Sequence, residues 1–146
     1  MLRDPTLIPL SHQHQHGLAL CVLMRRSLAS DSSLENVAQH AQRVIDRFEV
    51  ELVNHFEIEE QVLFPLCGSI PLVGDLIAEH RAIEALVARL RTDPSAALLE
   101  EFCVLLCAHI RREESGLFEE VQRSLPRDVL DRAGAEIDRR AVRVCL

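Results

Sequence analysis

Four stretches of the chain repeat apolar residues every three to four positions, the spacing that lines up one face of a helix. The first, over about residues 10–29, aligns Leu7, Leu10, His14, Leu18, Cys21, Met24 and Leu28. The second, about 33–64, starts at the capping cluster Asp31-Ser32-Ser33 and aligns Val37, Ala41, Val44, Phe48, Leu52, His55, Glu59, Val62 and Leu63. Pro65 ends it, because proline cannot continue a helix interior. The third, about 72–91, follows Pro71 and aligns Val73, Leu76, Ile77, His80, Ile83, Glu84, Val87 and Leu90. The fourth, about 95–124, follows Asp93-Pro94-Ser95 and aligns Leu98, Phe102, Leu105, His109, Glu113, Leu117 and Val121, with Pro126 as its stop. A weaker helical pattern covers about 127–142. Strand signals are absent: there is no sustained alternation and no Asn-Gly or Asp-Gly turn. The pattern predicts an all-α fold, an up-down-up-down four-helix bundle with a short C-terminal helix, in one domain over 1–146.

Each stripe is interrupted by groups that do not belong in an apolar face. The second carries His55 and Glu59, the fourth His109 and Glu113, and these pairs sit inside a ten-residue signature that occurs twice, 54 positions apart. A histidine and a glutamate four residues apart lie on one helix face, one turn from each other. The first stripe adds His14, and the third adds His80 and Glu84. With short connections, the start of the first helix, the end of the second, the start of the third and the end of the fourth meet at one level. A buried carboxylate without a cationic partner costs several kcal/mol. The arginines in these segments fall mostly on the polar faces, so a metal is the simpler partner for Glu59 and Glu113. His12 and His16 compete with His14 for the first helix, and His14 is preferred because it continues the stripe. His40 lies about four turns from His55 and reads as a surface or boundary residue.

Composition narrows the classes. The chain has 146 residues, 48% of them apolar, enough for one closed core. The net charge is −7 and all sixteen basic residues are arginine, with no concentrated basic stripe, which argues against nucleic acid as a partner. No apolar run is long enough to span a bilayer, and the first residues lack the pattern of a signal peptide, so a cytoplasmic location is expected. Five cysteines in that context read as reduced thiols. Cys21, Cys103 and Cys107 fall on helices, Cys67 in a loop and Cys145 at the C-terminus. There is no tyrosine, which excludes a tyrosyl radical.

Imidazole with carboxylate suits iron, manganese or zinc. Seven donors exceed one tetrahedral zinc and fit two metals bridged by two carboxylates. On His14, His55-x-x-x-Glu59, His80 and His109-x-x-x-Glu113, over residues 7–125, the sequence resembles the hemerythrin-like, or HHE cation-binding, domains. Phe56, Glu60, Leu63-Phe64-Pro65 and Glu79-His80 add to the likeness. The resemblance implies a non-haem di-iron centre with Glu59 and Glu113 as bridges. It gives His14 and His55 to one iron, and His80, His109 and Glu84 to the other. The first iron then keeps a position open to oxygen, peroxide or nitric oxide.

Two departures bear on function. Oxygen-carrying hemerythrins have a histidine where this chain has Glu84, and their last carboxylate falls one residue later, whereas the repeat here favours Glu113 over Glu114. Added negative charge favours the ferric state, which argues against reversible oxygen carriage and for sensing or handling oxygen, reactive oxygen or nitrogen species, or iron. No catalytic acid, base or nucleophile stands out beyond the ligands. The alternatives are a di-iron ferroxidase or peroxidase, and a helical interaction module with a structural or vestigial metal site.

Overall fold

The computed structural model describes residues 2–144. Among them there is no strand; the chain is all-helical, with four long rods and a shorter fifth helix. Helix α1 is Ile8–Ser30, entered through a short 3-10 turn, Pro5–Leu7. Asp4 caps that turn by accepting the Thr6 N–H at 3.0 Å. Rod α2 runs over 34–63 and opens on Ser33, whose hydroxyl accepts the Asn36 N–H at 3.2 Å, so the predicted capping cluster works through its last member. A 3-10 turn over Phe64–Leu66 contains Pro65 and ends it. Helix α3 is Leu72–Thr92. Rod α4 covers 96–124, capped by Ser95 accepting from Leu98 N–H at 3.1 Å. Helix α5 is Arg127–Arg140.

Rod α1 packs against α2 and α4, and α3 packs against the same two neighbours. Helix α5 lies across the Pro5–Leu7 turn and touches the C-terminal part of α2. Gly134 makes that crossing possible: a Cβ there would stand 2.5 Å from the Thr6 Cβ and 3.1 Å from its Cα. Only glycine fits so close an approach.

Two apolar clusters fill the interior. One gathers Leu20, Cys21, Met24, Val44, Ile83, Leu90, Phe102, Cys103 and Leu106 with their neighbours. The other gathers Leu7, Leu10, Ile58, Leu63, Leu76, Leu117, Phe118, Leu130 and Ile137. His14, His55, Glu59, His80, His109 and Glu113 are buried with them but belong to neither cluster. No described helix is long and apolar enough to cross a membrane.

The rods α2 and α4 are not uniform. Each loosens into a π-turn at the same place in the duplicated signature, Glu59–Leu63 and Glu113–Leu117, where the Phe64 and Phe118 N–H groups reach back to the Glu59 and Glu113 carbonyls. A third π-turn spans Phe48–Leu52. Glu59, Leu63, Glu113 and Leu117, the first and last residues of the two turns, are all buried. Such turns gather at functional positions.

Candidate metal centre

Six of the seven predicted donors meet. His14, His55, Glu59 and Glu113 form one group and Glu59, His80, His109 and Glu113 a second, with the donor atoms of each group within 4.8 Å of one another. The two groups share both carboxylates. All six side chains are buried, and Glu59, His80 and Glu113 have no exposed surface.

The carboxylates divide their oxygens between the two groups. Oε2 of Glu113 lies 2.8 Å from His14 Nε2 and 3.6 Å from His55 Nε2, while its Oε1 lies 2.8 Å from His109 Nε2 and 3.6 Å from His80 Nε2. Glu59 does the same, with Oε1 at 2.8 Å from His55 Nε2 and Oε2 at 3.1 Å from His80 Nε2. That is the arrangement of two carboxylates spanning two adjacent cation positions.

Hydrogen bonds alone do not account for it. The Nε2 atoms of His55, His80 and His109, both oxygens of Glu59 and Oε1 of Glu113 are buried with no hydrogen-bond partner. His55 and Glu59 approach to 2.8 Å without being aligned as donor and acceptor. Each such orphan costs about 1–3 kcal/mol if nothing else satisfies it. Separations of 2.8–3.6 Å match the edges of a coordination polyhedron whose ligands stand at about 2.0–2.2 Å, for which neighbouring donors are about 3 Å apart. The residues fit a metal pair.

The opposite ring nitrogens fix the tautomers. Nδ1–H of His14 donates to Glu114 at 2.7 Å, that of His80 to Glu60 at 2.7 Å, and that of His109 to Glu79 at 2.8 Å. A carboxylate can only accept, so each Nδ1 carries a proton, and Nε2 is the nitrogen that can give a lone pair to a metal once any proton of its own is lost. Arginines stand behind the three carboxylates: Arg3 on Glu114, Arg81 on Glu60 and Arg112 on Glu79. Nδ1–H of His55 donates instead to Gln13 Oε1 at 2.9 Å. Phe118 stacks on His14 with ring centres 5.4 Å apart, and Phe56 on His80 at 3.9 Å, which keeps water from the rings.

The charges of the metal-free site are coupled. Burial opposes ionisation of Glu113, but His109, His14 and His55 beside it hold its carboxyl well below the usual range. Burial by itself would lower His55 and His80; Glu59 and Glu113 override it and raise them to about 9 and about 10. Cations entering the site must displace those protons.

Glu84 is not among the gathered donors. It is half-exposed, with its carboxylate on Arg81 at 2.9–3.0 Å on the outer face of α3. The buried face of that helix is centred on Leu76, Glu79, His80, Ile83 and Val87, which leaves Glu84 at its edge. His12 is exposed, and His16 meets Glu51 at 2.6 Å and Arg47 at 2.8 Å, so His14 is the histidine that α1 contributes. His40 stands apart from the donors, as expected, but is buried rather than a surface residue. Cys67, expected in a loop, is buried and donates its thiol to the Leu63 carbonyl at 3.3 Å; Cys145 lies outside the described residues.

Glu60 and Glu79 were legible in the sequence as part of the likeness but not as supports of histidines, and Glu114 was not legible as a support at all. Glu114 and Glu60 are the second glutamates of the two signature copies, and each holds the histidine of a helix across the interior. Their duplication was the available signal.

The hemerythrin HHE cation-binding domain model matches residues 9–121, which contain every one of these donors and their supports except Arg3. No curated protein and no solved structure matches. With three-quarters of its length matched, the chain belongs to the hemerythrin HHE cation-binding domain family.

Proposed function

We infer that the four long rods form an up-down-up-down bundle around a non-haem di-iron centre, and that the protein senses or handles oxygen, reactive oxygen or nitrogen species, or iron. The observation that carries this reading is the sharing of Glu59 and Glu113 by two donor groups, each carboxylate turning one oxygen to each group. His14 and His55 would hold one metal, His80 and His109 the other, and the two glutamates would bridge them. Manganese and zinc accept the same donors, but four imidazoles with two bridging carboxylates suit a pair of irons that change oxidation state. Bound there, the irons supply one-electron chemistry toward a diatomic or peroxide ligand.

The side chains limit what reaches the centre. All six donors are 4% exposed or less. Phe56, Phe64 and Phe118 wall the histidines, so small uncharged ligands enter more readily than organic substrates. Glu84 turns outward to Arg81, so it neither adds negative charge to the centre nor supplies the imidazole that oxygen carriers have at that place. With one imidazole fewer than a carrier's centre would have, reversible oxygen carriage is not the role we assign.

The test is to load the protein with ferrous iron without air and follow its optical spectrum through repeated exposure to and removal of oxygen. The expected result is oxidation that removing oxygen does not reverse. Clean return to the starting spectrum over repeated cycles would overturn the assignment in favour of an oxygen carrier.

A further inference from the structure

Each ring must turn an Nε2 lone pair toward the centre, so its Nδ1 carries the proton. The group accepting that proton sets how strongly the ring donates to a metal. Three rings hand it to a carboxylate backed by an arginine, as described above. His55 hands it to the neutral amide oxygen of Gln13.

The orientation of that amide is dictated by backbone atoms at the end of α5. The Gln13 NH2 group donates to the Val142 carbonyl at 3.1 Å and to Asn54 Oδ1 at 3.0 Å. A carbonyl can only accept, so the nitrogen must face Val142 and the oxygen is left for His55. Asn54 is fixed in the same way: its NH2 donates to the Arg140 carbonyl at 2.9 Å, and its oxygen accepts the Val142 N–H at 2.9 Å. Residues 140–142 thus set two side-chain amides and, through them, one imidazole of the centre.

We propose that Gln13, held by Asn54 and by the chain at 140–142, is the positioning residue of His55, and that it makes the His14–His55 position the weaker of the two metal positions. The proposal rests on the two-metal reading above. An amide oxygen is a poorer acceptor than a carboxylate, so the His55 ring gains less electron density and binds a cation less tightly. At the other position both His80 and His109 are carboxylate-backed. The His14–His55 position is the last to fill and the first to empty, and the C-terminal segment is physically linked to it.

The experiment is a titration of the full chain with Co(II), read by visible absorption and by the shifted N–H resonances of bound imidazoles. Two equivalents should bind in two steps about ten-fold or more apart. The first should shift two imidazole N–H signals, and the second the other two. Gln13→Leu should weaken the second step by about 10–100-fold and leave the first unchanged. Ending the chain after Arg140 should act in the same direction. Glu60→Gln, which gives His80 an amide partner, should move the first step toward the second. Two indistinguishable steps in the unaltered protein, or equal weakening of both by Gln13→Leu, would overturn the proposal while leaving the two-metal reading intact. Fewer than two equivalents would overturn that reading instead. If Gln13→Leu fails to fold, by circular dichroism, the unaltered chain and Glu60→Gln still decide.

Discussion

Phe102 and Glu113 stand on the same rod, about three turns apart, and neither has any exposed surface. At Phe102 burial is itself the stabilising event: the ring leaves water and packs among Val44, Ile83 and Leu106. At Glu113 burial opposes the charged form, and the position is tolerable only because four histidines and, on our reading, two cations surround it. The apolar clusters hold the rods together with or without a metal. The donor layer stores a conflict that a metal resolves. Stability that needs no metal and stability that depends on one therefore reside in different layers of one interior.

Removing metal should break the comparison most strongly. With free metal at about a thousand times its dissociation constant, each occupied position adds about 4 kcal/mol. Chelation should thus lower the thermal midpoint sharply, and calorimetry before and after chelation measures it. An unchanged midpoint would mean the donor layer is not a binding layer.

Phe102→Ala comes next. It should cost about 3–5 kcal/mol in urea unfolding yet retain the full metal content. Glu113→Ala should instead lose metal at both positions and, with it, the stability that chelation removes. Equal effects of the two variants on metal content would erase the distinction between layers.

A pH series sharpens it further. In the metal-free protein His55 and His80 are raised to about 9 and about 10. A raised histidine contributes stability that is complete below its unfolded value of about 6.5. That contribution is lost as pH climbs through the folded values. Metal-free protein should therefore weaken between pH 7 and 10, and metal-loaded protein should lack this loss, because its rings are already deprotonated. Denaturant midpoints across that range, with and without metal, read the difference.

The smallest expected effect lies farthest from the donors. Gly134→Ala should cost about 1–3 kcal/mol by pushing α5 away from Thr6, with metal content unchanged. Unfolding and metal analysis of that variant check both parts.

Much of this was legible in the sequence because the signals were redundant. The four rods follow from periodicity and caps, with ends within two residues of those expected. The six donors follow from polar groups breaking apolar stripes at one level. What escaped notice depends on contacts between helices. Glu84 shares a stripe with His80 by spacing alone, but the true buried arc of α3 passes through Glu79, and the partner that draws Glu84 outward, Arg81, is on the surface. The π-turns have no signal in the apolar period, although both copies of the signature place one at the same glutamate. Gln13 was invisible for a different reason. A glutamine on the first helix has no signal of its own, and its role is assigned by a carbonyl 129 residues away.

The central claim is a pair of irons between shared glutamates. It is tested most directly by elemental analysis of protein purified without added metal, together with its absorption spectrum in air. Two irons per chain and ferric charge-transfer bands are expected. A single zinc per chain, or no metal at all, would contradict it.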